Sequence, residues 1–405
     1  MIFAPVSVRR LAALWWLFAE SLPAAAGLIQ EDIFPAEAWH NHASCVVETP
    51  RGDLLVCWFH GSGERKADDV RVEGARRRRG DRKWSERFVL ADTPGFPDCN
   101  PCLFVDPRGQ LWLFHVTITA NLWESAVLKY RVSRDYQRAG PPRWTTSEVL
   151  HVKPGPEFDA AVARTLPLLE GEIAALGATL GEADRRDAME YLTAFQTQST
   201  NRLYRRLGWM PRAHPVMLDA HRLALPLYHD GFSCGLIAFT DDWGAQWQTS
   251  APLIGGGNVQ PSLVVRRDGV VTAWMRDNGP PPKRALYAES RDRGETWSPV
   301  TDSVIPNPGS GLELIALRSG RWLYVGNDTE NGRHSLAVWL SPDEGRSWPW
   351  KRSLESVAPG TAGFGYPSVT QSREGHLHVT YSASHDGRST IRHATFPETW
   401  ISDGK

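Results

Sequence analysis

A set of polar and aromatic side chains recurs at matching places along the sequence, at the starts or ends of short apolar runs: His42, Asn100, Arg212, Gln260, Arg276, Glu313, Asp328 and Tyr366. Arginine can grip a carboxylate or phosphate through two parallel charge-assisted hydrogen bonds. Tyrosine and histidine can move a proton, or attack carbon once a neighbour takes their own. A second concentration of ionisable groups is Glu64, Asp68 and Asp69. A carboxyl acts as a general acid where burial or like charge raises its pKa. Asp68 and Asp69 are adjacent, so in an extended segment only one can point inward. Glu64 and Asp69 are the candidates for that acid.

Other chemistries are excluded by pattern. No G-x-S-x-G, G-x-x-x-x-G-K, H-E-x-x-H or G-x-G-x-x-G appears. Cys99 and Cys102 form a C-x-x-C with no second pair or spaced histidines, so a four-ligand zinc site is not expected, and a local disulfide or two packed thiols is. Five cysteines are an odd number, which leaves at least one unpaired within the chain. His376 and His378 alternate on one face of an expected strand, a pattern read as packing rather than as a metal site. No metal or cofactor is called for. With 45 basic and 46 acidic side chains, no nucleic-acid partner is expected. Arg76 to Arg79, the one basic cluster, reads as a solvated hairpin tip.

The elements that must position these groups come from a repeat. Thr240 to Trp247, Ser290 to Trp297 and Ser341 to Trp348 all fit S/T-x-D-x-G-x-x-W, at an interval of about fifty residues. The Asp can accept hydrogen bonds from the amides of a tight turn, the Gly supplies a positive φ, and the Trp can pack back between units. Degraded copies lie at Arg79 to Trp84 and from Ser133 to Trp144. Turn dipeptides feed β-branched and aromatic runs at Leu54 to Phe59, Leu111 to Val116, Val270 to Met275, Trp322 to Val325 and Leu377 to Tyr381. Six units follow, near 43–86, 99–147, 213–250, 258–299, 307–350 and 364–397, each of the size of a four-stranded blade. The expected fold is all-β, a six-bladed β-propeller, with Leu28 to Phe34 supplying a strand that closes the ring. Residues from about 156 to 205 carry helical spacing and form an insertion between blades two and three, with Pro167 breaking or starting a helix. It could be a lid over the functional face or a dimer contact, and the oligomeric state is left open. At the N-terminus, Arg9-Arg10, the apolar run Leu11 to Ala19 and Ala24 to Ala26 read as an export signal over 1–26, giving a secreted or periplasmic protein over 27–405 without membrane insertion.

These boxes resemble the Asp-box, or BNR, repeats of the sialidase superfamily. Phrases such as HASCVVETPRGDLLVCWFHGSGERKADDV, CNPCLFVDPRGQLWLF, GGGNVQPSLVVRRDGVVTAWMRD and GYPSVTQSREGHLHVTYS are similar to its bacterial "predicted neuraminidase" branch, over roughly residues 35 to 397. The resemblance implies three arginines on a sugar carboxylate, a nucleophilic tyrosine activated by a glutamate, and an acid aspartate. Tyr366 stands at the tyrosine position and Arg276 at one arginine position. His42-Ala43-Ser44 replaces the phrase that carries the first arginine, and Gln260 stands where the activating glutamate belongs. Arg212 and Arg333 are the further arginines available. The acid position corresponds to the loop of Glu64 and Asp69. The implied activity is release of a terminal acidic sugar from a glycan. The alternatives are a non-catalytic carbohydrate-binding propeller, and a lyase on a uronate-containing glycan in which His42 and Tyr366 act as proton carriers.

Overall fold

Each of the three boxes closes its turn in the same way. The first hydroxyl donates to the Asp two residues on (Thr240 to Asp242 at 2.8 Å, Ser290 to Asp292 at 2.7 Å, Ser341 to Asp343 at 2.9 Å). The same Asp accepts an amide four residues further along, from Gln246, Thr296 and Ser347. The residue before each Gly also adopts a positive φ (Trp243, Arg293, Glu344), a backbone that the Asp hydrogen bonds hold in place. Every box joins the third and outermost strands of a sheet, as at Ser341, the last residue of Ser335–Ser341, which leads into Trp350–Ser356.

The computed structural model describes residues 27–176 and 181–403; the expected export signal lies outside them. Antiparallel sheets form six blades around an axis, spanning 40–91, 98–149, 210–249, 258–306, 313–356 and 362–396. The sixth takes its outermost strand from the other end of the chain, where Ile29–Asp32 pairs with Arg388–Phe396 and closes the ring. In blade three the inner strand is split into Met210–Pro211 and Val216–Met217, both paired with Leu223–His229. Box tryptophans pack onto the preceding blade. Trp348 meets Trp274 edge-on at 5.5 Å, Trp247 meets Phe114 at 6.1 Å, and the Trp144 indole donates to the Leu90 carbonyl. Trp84 completes the circle by donating to Glu31 of the closing strand.

The insertion consists of α1 (Pro156–Leu176), α2 (Glu182–Thr200) and α3 (Arg202–Arg206). Contrary to expectation, α1 continues through Pro167. The missing amide forfeits one hydrogen bond, but Phe158, Ala161 and Leu169 bury the same helix face on both sides of it. The basic run is a solvated tip only in its second half, where Arg78 and Arg79 are exposed at the turn. Arg76 lies inside the strand Arg71–Arg77, is 3% exposed, and pairs with Asp53 at 3.4 Å, while Arg77 pairs with Glu31. All five cysteines are buried and unpaired, so Cys99 and Cys102 are packed thiols. His378 is buried against His393.

One deformation of the inner strands positions the site. Four inner strands carry a register shift, at His42/Cys45, Cys99/Cys102, Val259/Ser262 and Gly365/Ser368. In each bulge one non-glycine residue has a left-handed backbone: Ala43 (φ 54), Asn100 (φ 50), Gln260 (φ 57) and Tyr366 (φ 54). Such a backbone is costly for a residue with a Cβ, and it clusters at functional sites. Proline follows three of the four and fixes the exit direction of the chain.

Candidate active site

Tyr366 stands at the centre of the face onto which the bulges open. Its hydroxyl accepts a hydrogen bond from Arg276 Nη1 at 2.7 Å and a longer one from Gln260 Nε2 at 3.4 Å. Three guanidinium groups surround its ring, Arg212 and Arg333 at 5.2 Å from the centroid and Arg276 at 6.0 Å. The His42 ring lies 4.2 Å from it. These residues come from blades one, three, four, five and six, so only ring closure assembles them.

Each arginine is held from behind. Arg212 sits in the break of the split inner strand and donates to the Pro367 carbonyl at 2.7 Å, beside Tyr366. Arg276 ends the strand segment paired with Val259, next to the Gln260 bulge. Arg333, in the loop before Ser335–Ser341, donates to the Gly309 carbonyl at 3.1 Å. Nε of Arg212, Nε of Arg276 and Oε1 of Gln260 are buried with no hydrogen-bond partner among the described residues. Buried polar atoms are rarely left so, and a carboxylate bound here would satisfy the two donors.

The electrostatics sort the acids and bases. Burial, with the charges of His40 and the three arginines, pushes His42 well below its usual range, so it is a neutral imidazole. The His40 imidazole, 3.5 Å from Glu64, holds that carboxyl below the usual range. Asp230 behaves oppositely. Burial raises its carboxyl to about 6, with Glu124 and Glu64 adding and Arg276 and Arg65 opposing. Its neighbour Tyr228 receives a hydrogen bond from Asn100 at 3.0 Å and is pushed up by burial and by the charges of Asp230 and Tyr366.

Of the residues singled out from sequence, Tyr366, Arg276, Gln260, Arg212, Arg333 and His42 meet directly, and Asn100 and Glu64 border them. Three do not join them. Asp69 caps its own loop by accepting from the Ser62 amide and hydroxyl. Asp328 pairs with Lys351 at 3.3 Å. Glu313, 1% exposed, turns into the axis and holds His214 at 2.7 Å and the Val369 amide at 2.7 Å. Sequence reading missed Asp230, Tyr228 and His214. Asp230 directly follows the strand Leu223–His229, and Arg276 is the last residue but one of the second strand of its own blade, Val271–Asp277, so that near-alignment was the available signal.

The BNR repeat-like domain model matches residues 52–173 and 198–379. The chain belongs to this BNR-repeat family. Its fold is similar to the Hadza microbial sialidase Hz136 (15% identity, TM-score 0.63, covering 89% of this chain and 66% of that one). It is also similar to a protein of unknown function from Dyadobacter fermentans (14%, TM-score 0.67, 92% and 99%). A third likeness is the intramolecular trans-sialidase from Ruminococcus gnavus, solved with oseltamivir carboxylate (12%, TM-score 0.65, 89% and 95%). At these identities the likeness is one of fold. No curated protein matches the sequence significantly.

Proposed function

We propose that this BNR-repeat propeller is a glycoside hydrolase that releases a terminal sugar bearing a carboxylate. The observation that carries the reading is the convergence of Arg212, Arg276 and Arg333 around Tyr366, with buried donors left free to bind an anion. The arginines hold the carboxylate and fix the sugar ring above Tyr366. Tyr366 Oη attacks the anomeric carbon, and its proton passes to the neutral His42. Protonated Asp230 delivers a proton to the leaving oxygen, then acts as base toward water when the tyrosyl glycoside is hydrolysed. Gln260 donates to the phenol oxygen and cannot take its proton, which is why His42 is needed. An acidic glycan outside the cell suits the export signal expected at 1–26, and no described helix is long and apolar enough to cross a membrane.

The test is turnover on a panel of fluorogenic glycosides of acidic and neutral sugars. Activity should be confined to acidic sugars. Tyr366→Phe should lower kcat by about 10²–10⁴-fold, and Arg276→Ala should raise KM by about 10–100-fold, the worth of one charged hydrogen bond. Unaltered turnover in Tyr366→Phe would sink the assignment. The amide at Gln260 favours a second reading, a lyase in which His42 and Tyr366 carry the proton beside an arginine-neutralised uronate. An unsaturated product absorbing in the near ultraviolet would identify it. Binding without product would mark a carbohydrate-binding propeller.

A further inference from the structure

Below the Tyr366 cluster the propeller axis holds a second group of reactive side chains that the proposed hydrolase does not use. Cys45 Sγ faces the Leu103 amide at 3.1 Å, His214 Nε2 at 3.2 Å and, at longer range, the Leu103 carbonyl at 3.7 Å and Cys102 Sγ at 3.9 Å. His214 Nδ1 lies 2.7 Å from Glu313 Oε1, and its Nε2 lies 3.0 Å from the Val46 carbonyl. Both ring nitrogens therefore face acceptors, so both carry hydrogen and the ring is an imidazolium. A sulfur with an imidazolium and an amide pointing at it is held as a thiolate. The contrast with the other cysteines agrees. Burial pushes Cys57, Cys99, Cys102 and Cys234 up, whereas at Cys45 the neighbouring thiols and His214 outweigh burial and pull it well down. A cavity of about 370 Å³ is lined by His214 and Glu313 and by Val265 and Ala316 at the far ends of their inner strands, so it stops at the imidazole, with Cys45 and Cys102 buried behind it.

We infer that Cys45 is a modification site for small hydroperoxides, with Cys102 as its resolving thiol. The Cys45 thiolate attacks one peroxide oxygen. An S–O bond forms, the O–O bond breaks, and the departing hydroxide takes the His214 Nε2 proton and leaves as water. Cys102 then attacks the sulfenic sulfur. The S–S bond forms, the S–O bond breaks, and the hydroxide leaves as water with the Cys102 proton. Two thiols are oxidised and one hydroperoxide is reduced, to two waters when it is hydrogen peroxide. The sulfurs must approach by about 2 Å to reach bonding distance. Cys45 and Cys102 each lie two residues beyond a left-handed bulge residue, Ala43 and Asn100, so the bond ties the inner strands of blades one and two beneath the Tyr366 site. It also takes away one of the two anionic partners of His214, leaving Glu313; His214 shares its short segment with Arg212.

The test treats the full chain with hydrogen peroxide at pH 6 and pH 8, then traps free thiols and maps disulfides by mass spectrometry. The expected result is a Cys45–Cys102 disulfide as the first product, at rates within about threefold of each other, because a pre-formed thiolate is present at both pH values. An unassisted thiol would slow on the order of a hundredfold between them. Cys102→Ser should leave a sulfenic acid on Cys45, read as a one-oxygen mass gain on its peptide and captured by dimedone when the chain is unfolded in its presence. A Cys45–Cys57 bond would overturn the role of Cys102. An inert Cys45 in the folded chain, or the hundredfold pH dependence, would overturn the site. The wild-type map and its pH dependence stand even if a variant fails to fold.

Discussion

A carboxyl near a guanidinium normally ionises more easily, yet Asp230 is shifted the other way. Removal from water, reinforced by Glu124 and Glu64, outweighs Arg276 and Arg65. The result is an acid still partly protonated near neutral pH, a property that Glu64 lacks because His40 holds it down. Activity should therefore fall as pH rises through about 6, where Asp230 loses its proton. Asp230→Asn should cut kcat/KM by about 10²–10⁴-fold and abolish that limb, while Glu64→Gln should leave it in place. A pH–rate profile of the three proteins measures this, and an unchanged limb in Asp230→Asn would assign the acid elsewhere. Sequence showed the types of these groups but not their surroundings. Asp69 and Glu313 were as conspicuous as Arg276 in one dimension, and differ only in that one caps a loop and the other faces the axis.

Turns and strands were far more legible than environments, because the box encodes its own turn chemistry. Thr240, Asp242 and Gly244 declare a local hydrogen-bond pattern that needs no distant partner. Asp343→Ala, in the same motif, should cost about 1–3 kcal/mol in a denaturant titration, since it strips the acceptor from Ser341, the Ser347 amide and the Ser347 hydroxyl at once. It should leave kcat/KM intact, because the boxes lie at the opposite end of the strands from Tyr366. Helical spacing likewise revealed α1 and α2, but not what they do. Phe195 and Phe158 pack edge-on against Phe232, and they extend the same aromatic cluster to Tyr191 and Trp209. Tyr191 Oη also donates to the Gly255 carbonyl at 2.7 Å. The insertion is thereby built into the core beside blade three, a fixed wall on the Asp230 side rather than an idle appendage. The left-handed bulges were invisible in sequence, because Asn100, Gln260 and Tyr366 look like ordinary strand residues until the register slips.

At the scale of the whole molecule, the site exists only while the ring is shut. Glu31 reaches His393, 362 positions away, along with Arg77 and Trp84 of blade one, so one short strand joins both neighbours of the seam. Removing 29–32 should lower Tm by more than about 5 °C, and should weaken acidic-sugar binding in parallel, because Tyr366 and His42 lie on the two blades that meet there. Differential scanning calorimetry and ligand titration of the truncated chain measure both effects. The four bulges carry a different consequence, for how such a protein can change its chemistry. Each holds one side chain at a fixed aim, and the backbone beneath it is indifferent to whether that side chain is the methyl of Ala43, the amide of Asn100 or Gln260, or the phenol of Tyr366. They behave as interchangeable sockets around a common centre. A lineage, or a designer, can swap what is plugged into one of them and alter the reaction while the scaffold stays as it is.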